Sequence, residues 1–218
     1  MTTWPEHLER ETARYRDGES RLPDETDPDS RQKQLTRLGN AAGGAGLALL
    51  MDGRTREAGE WFTRAAERYR ESFAEAPPGS WGRLIGAVKA RLLAGDWDGA
   101  RRDAEWTLEQ SPGESESPIG RYAACLALLV LGRDREARPL AASIRELGGF
   151  PHDVADALAA LAARDRLGYI EAVESVLESF ETREEYLEDM PVADTVIVLQ
   201  ALAAPREIAA ALESPLLP

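Results

Sequence analysis

The chain has 218 residues, 43% of them hydrophobic, with 39 acidic against 26 basic side chains and a net charge of −13. That length suffices for a continuous helical core, and the charge disfavours nucleic acid phosphates as a partner. No run of about 18 apolar residues predicts a membrane span, and the N-terminal MTTWPEHLERETARYRDGES lacks the basic start and apolar middle of a secretory signal, so the expectation is a cytoplasmic protein.

Only Lys33 and Lys89 are lysine. An acidic, lysine-poor surface fits solubility in a high-salt cytoplasm, a halophilic trait, where repulsion between acids is screened. The alternative is a surface built to meet a basic protein. The acids are spread along the chain, which favours the compositional reading.

In chain order, residues 1–20 carry Trp4, Leu8 and Tyr15 among many charges, a short docking helix. The run GESRLPDETDPDS from Gly18 to Ser30 holds two prolines and five acids and predicts an extended, solvated linker. Residues 1–30 are therefore read as arm and linker, and 31–218 as one helical domain. The body opens with QKQLTRLGNAAGGAGLALLMDG, a helix that Gly43, Gly44 and Gly46 weaken while admitting a close neighbour. NAAGGAG lacks the preceding strand of a phosphate-binding loop. TREAGEWFTRAAERYRESFAEA then repeats Ala58, Trp61, Phe62, Ala65, Ala66, Tyr69 and Phe73 at helical spacing.

A third helix starts after Ser80, a candidate N-cap, and carries Leu84, Ile85, Val88 and Leu92. A fourth holds Ala100, Ala104 and Trp106. The fifth, about Ile119 to Leu131, is apolar nearly all round and predicts the most buried helix. Within it Cys125, the only cysteine, reads as a small core residue and excludes an internal disulfide or a cysteine-based zinc site. The sixth, Arg133 to Leu147, contains Pro139 as a kink or break. HDVADALAALAARD and GYIEAVESVLESFETREEYLEDM form a further hairpin. ADTVIVLQALAA is read as helix, with Asp194 as its N-cap, because no second strand exists to pair with VIVL; a short helix from Arg206 to Leu212 follows.

Gly53, Gly95 and Gly132 are each followed five positions on by an alanine, Ala58, Ala100 and Ala137. This pattern resembles tetratricopeptide repeats, with spacings more irregular than the usual period of about 34 residues. The fold class expected is all-α, a tetratricopeptide-like stack of antiparallel helix hairpins. In such arrays the first helices of each pair line a binding surface, and carrying those positions over residue by residue implies Ile85, Lys89, Ile119, Tyr122 and His152 as partner contacts. Trp97, in the turn GDWDG, is added as an indole placed for a partner.

The stretches GSWGRLIGAVKARLLAGDW, SPIGRYAACLALLVLGRD, LAARDRLGYIEAV and DTVIVLQALAAPREIAAALESPLLP resemble the Imm49 family of bacterial immunity proteins. The resemblance implies a non-enzymatic inhibitor that binds one cognate toxin.

Chemistry-bearing motifs are sparse. His7 and His152 are the only histidines and form no helical metal pair. Adjacent acids such as Glu184 and Glu185, or Glu188 and Asp189, read as a solvated face, and G-x-S-x-G is absent. The expectation is therefore no catalytic residue, cofactor or metal, and a protein partner that is a basic toxin. A scaffold or adaptor without a toxin is the alternative, and an all-helical enzyme the third reading.

Overall fold

In a computed structural model, which describes residues 3–218 and Leu187 by its backbone only, the chain is all-α. Among the described residues ten α-helices follow in order: α1 Trp4–Arg21, α2 Pro28–Met51, α3 Thr55–Ala74, α4 Trp81–Leu93, α5 Trp97–Glu109, α6 Pro118–Val130, α7 Asp134–Leu147, α8 His152–Ala163, α9 Arg166–Glu181 and α10 Asp194–Ala203. They divide between two compact units where one domain was expected. The first holds residues up to Trp97 together with Glu185–Val192; the second holds Asp98–Glu184 and Ala193–Leu217.

The N-terminal thirty residues are not an arm and linker. α1 is 18 residues long and packs along α2. Its inward row is His7, Glu11, Tyr15 and Gly18, at the spacing of one helical face. The acidic run after it contains the 3-10 turn Leu22–Asp24 and the start of α2, whose first turn is capped by Asp27 accepting the Ser30 N–H at 2.8 Å. Pro28 stands at the first helical position, where its missing N–H costs nothing.

In the first unit α2 lies between α1 and α3, and α3 packs on α4. The glycines of α2 mark the close approaches. A Cβ on Gly46 would lie 2.6 Å from the Phe62 ring, one on Gly44 would lie 2.9 Å from Glu11, and one on Gly39 would lie 2.8 Å from Tyr69. Leu35, Leu38, Ala42 and Leu49 of α2 close the core with Ala58, Phe62, Ala65 and Ala66 of α3.

In the second unit α6, α7, α8 and α9 pack each on the next, and α10 packs on α8 and α9. Every residue of α6 from Tyr122 to Val130 is buried, as its all-round apolar sequence predicts. α7 runs unbroken through Pro139, and the carbonyl that the proline leaves without a helical donor belongs to Arg135, which like Pro139 is exposed. α9 ends at Glu181 rather than continuing to Met190, and after α10 only a 3-10 turn, Ala204–Arg206, stands where a short helix was expected. Asp194 is the first helical residue of α10, with Ala193 as the cap position.

The three glycine turns share one closure, and two turns without glycine adopt it as well. Gly53, Gly95 and Gly132 adopt φ of 75°, 69° and 70°. In each turn the glycine N–H bonds three residues back and the following N–H bonds five back, as in Arg54 to Leu49 at 2.9 Å, Asp96 to Arg91 at 3.0 Å and Arg133 to Leu128 at 2.9 Å. This is the Schellman closure of a helix end. Arg164 (φ 56°) and Glu207 (φ 60°) make the same pair of bonds, with Asp165 bonding Ala160 and Ile208 bonding Ala203. Ala58, Ala100 and Ala137, five residues past each glycine, are all at most 1% exposed.

Candidate functional site

The six residues named from the sequence fall in different places. On α4 of the first unit, Ile85 and Lys89 are half-buried and one turn apart. Trp97 is half-buried and opens α5 rather than standing in a turn. In the second unit Ile119, Tyr122 and His152 share one end of the α6–α8 layer, since α6 begins where α7 ends and α8 begins. Ile119 and His152 are exposed. Tyr122 is only 8% exposed and its ring packs on Phe150 at 5.0 Å, so it is a packing residue that anchors the GGFP turn, where Gly148 and Gly149 adopt φ of 67° and 71°.

A stronger surface feature lies on α9. Its buried side is Tyr169, Ala172, Val173, Val176, Leu177 and Phe180. The opposite side carries, in one row, Leu167, Glu171, Glu174, Glu178 and Glu181, all exposed. Leu167 is 73% exposed, more than Leu147 at 43% or Ile119 at 39%. No base occurs between Arg166 and Arg183. At α3, by contrast, Glu57 and Glu71 each face an arginine one turn away, Arg54–Glu57 at 2.7 Å and Arg68–Glu71 at 2.8 Å. On α9 each glutamate's helical neighbour is another glutamate, a repulsion of roughly 0.2–0.5 kcal/mol per pair. Glu178 and Glu181 also lie in the last turn, which carries no base and where the helix dipole disfavours an acid. Glu181 accepts from Ser214 Oγ at 2.7 Å. An exposed leucine heading an unfavourable row of acids is a local arrangement that folding does not need.

The spacing E-x2-E-x3-E-x2-E was visible in the sequence. What hid it was the strong apolar face of the same helix, which makes the acids read as an ordinary solvated side.

The remaining ionisable groups serve packing. Burial pushes the Cys125 thiol up to about 12, so it is not a thiolate nucleophile. Burial likewise raises the Tyr169 phenol, whose hydroxyl donates to Gln200 Oε1 at 2.9 Å. Among the described residues no group of three or more His, Cys, Asp or Glu side chains is placed to hold a metal.

His7 is 4% exposed and its Nδ1 has no partner. Burial, with Arg10 nearby, lowers its pKa, outweighing Glu11, Glu6 and Asp189. The unfolded chain takes up a proton at about 6.5 while the folded chain resists it. The stability this gives is whole above that value and falls as the pH drops below it. Between about pH 7.5 and about pH 5.5 the melting temperature should therefore fall further for the wild type than for His7→Leu. Equal shifts would show that His7 is not the group responsible.

The fold and surface together define a helical-hairpin protein with a charged ridge. Compared with protein-family models, with curated proteins and with solved structures, the chain matches none.

Proposed function

We propose that this chain is a non-enzymatic protein-binding module, and that the α9 ridge receives a basic protein. The carrying observation is the row Leu167, Glu171, Glu174, Glu178 and Glu181, exposed, with no arginine one helical turn from any of its glutamates on α9. Acids in a row raise the encounter rate with a cationic surface, and a leucine at one end supplies an apolar anchor. The sequence stretches that resemble the Imm49 family extend this reading to an immunity protein whose partner is a basic toxin. The net charge of −13 supports a cationic partner in either case.

The test separates binding from folding. Replacing Glu171, Glu174 and Glu178 with glutamine removes the like-charge repulsion, so the variant should melt at or above the wild-type temperature while losing its partner. Both proteins are used as bait in the native cytosol at its own salt concentration, and the captured protein is assayed for toxin activity. A stoichiometric basic partner that the variant fails to retain is the expected result. Retention by the variant would overturn the ridge, and a captured partner without toxic activity would replace the immunity reading with an adaptor.

A further inference from the structure

We propose that Arg10, Arg14 and Asn40 form a receptor for an acidic peptide segment, occupied in this structure by the chain's own Glu188. The site lies wholly in the first unit and is distinct from the α9 ridge.

Three oxygens of Glu188 are held, two of its carboxylate and one of its main chain. Its Oε2 accepts from Arg14 Nη2 at 2.6 Å, its Oε1 from Asn40 Nδ2 at 3.1 Å, and its backbone carbonyl from Arg10 Nη2 at 2.9 Å. Carboxylate and main chain of one residue are read together, so the arrangement recognises a peptide rather than a small anion. Guanidinium groups suit this task because their planar forks offer several donors at fixed angles.

The receptor is set in place by groups other than Glu188. Glu11, fully buried, accepts from Arg10 Nε at 2.7 Å and from Arg14 Nη1 at 2.9 Å. Asn40 is oriented by the Tyr69 hydroxyl, which donates to its Oδ1 at 2.8 Å and so turns the amide nitrogen toward Glu188. The Tyr69 ring is itself wedged against Gly39 and Gly86, where a Cβ on either would lie 2.8 Å away. Binding groups that hold their geometry through other partners are preorganised.

The occupant fits less well than its receptor. Glu188 and the following Asp189 adopt φ of 55° and 53°, two successive non-glycine residues in the left-handed region, a strain kept only where contacts enforce it. His7, one turn before Glu11 on the same face of α1, keeps a buried Nδ1 that the segment leaves unpartnered. Met190 and Val192 anchor the segment by burial, so within it the Glu188 contact alone is the tethered stand-in, and a partner's acidic segment must compete with its high effective concentration.

The experiment uses the full chain and a fluorescein-labelled peptide, EYLEDMPV, copied from residues 185–192. Titrated by fluorescence anisotropy at low ionic strength, E188A should bind the peptide about tenfold or more tightly than the wild type, because the carboxylate seat on Arg14 and Asn40 is vacant and only the residue 188 carbonyl still competes, at Arg10. Adding R14A should abolish that gain, and a peptide with glutamine in place of its second glutamate should bind poorly. Should E188A lose helical circular dichroism, E188Q, which keeps the side-chain volume, takes its place with a smaller gain expected. A folded variant that binds no better than wild type, or a gain that survives R14A, would overturn the proposal. Acetate, which has the carboxylate and no main chain, should displace the peptide only weakly; equal displacement would show a small-anion site instead.

Discussion

Asp134→Ala should cost the second unit about 3–5 kcal/mol, the penalty for leaving a buried cation without its partner. Arg206 is the cation: its side chain is 5% exposed, and that of Asp134 is 9% exposed. The guanidinium donates to Asp134 Oδ1, to the Leu129 carbonyl at 2.7 Å and to the Leu202 carbonyl at 2.6 Å, while its Nε has no partner. The other oxygen of Asp134 accepts from Arg164 Nε at 2.9 Å. One carboxylate therefore ties the α6–α7 turn both to the turn after α8 and to the turn after α10. Burial alone would raise the Asp134 pKa, but the hydrogen bonds and charges of Arg206 and Arg164 outweigh it and hold the carboxyl below its ordinary value. That stabilisation is present above the unfolded carboxylate value near 4 and is lost as pH falls through the lower folded one. Urea unfolding monitored by circular dichroism reads the loss at neutral pH. The double variant Asp134→Ala with Arg206→Met should recover much of it, since the stranded charge is gone. A single-variant loss under about 1 kcal/mol would place the pair among surface bridges, which contribute little.

Helix order and the repeat were legible because they are written in apolar spacing and in glycine. Gly53, Gly95 and Gly132 are recognisable since a left-handed turn residue is usually glycine. Arg164 and Glu207 occupy the same place in two further turns, and nothing in their residue type announces it. The Arg164 side chain bonds Asp134, an interaction that offsets the backbone cost a glycine would have avoided. A helix was expected within residues 1–20, but the packing of α1 into the core was hidden for a related reason. Two of the residues on its inward row, His7 and Glu11, are polar, and hydrophobic periodicity cannot count them. Glu11 is buried because Arg10 and Arg14 on its own helix supply its charge partners. The α9 ridge was readable as spacing but not as significance, which comes from knowing that Tyr169, Val173, Val176 and Phe180 face inward and leave the acids together outside. Tyr122 shows the converse: a residue type suited to recognition, which burial against Phe150 assigns to packing.

Gly43→Ala and Gly46→Ala, three positions apart in α2, should act with opposite sign. At Gly43 nothing lies within 4 Å of an added Cβ. Alanine there removes the helix-interior penalty of glycine and should stabilise by about 0.5–1 kcal/mol. At Gly46 the same methyl would sit 2.6 Å from one atom of the Phe62 ring and 2.7 Å from the next. Phe62 is 1% exposed and enclosed by the α2 and α3 core, so the ring has no free volume to move into. Overpacking of this kind costs about 1–3 kcal/mol, which exceeds the propensity gain, and Gly46→Leu should cost more still. Combining Gly46→Ala with Phe62→Leu should restore part of the loss, because the smaller side chain vacates the space the methyl enters; the two changes are in contact and therefore non-additive. Thermal melts of these variants and of Phe62→Leu alone, each against the wild type, decide it. The same comparison settles what the glycine run is for. If Gly46 exists to admit the Phe62 ring, its replacement is felt in stability and relieved from α3. If the run instead served to cradle a phosphate, Gly46→Ala would leave the melting temperature near that of Gly43→Ala, and Phe62→Leu would relieve nothing.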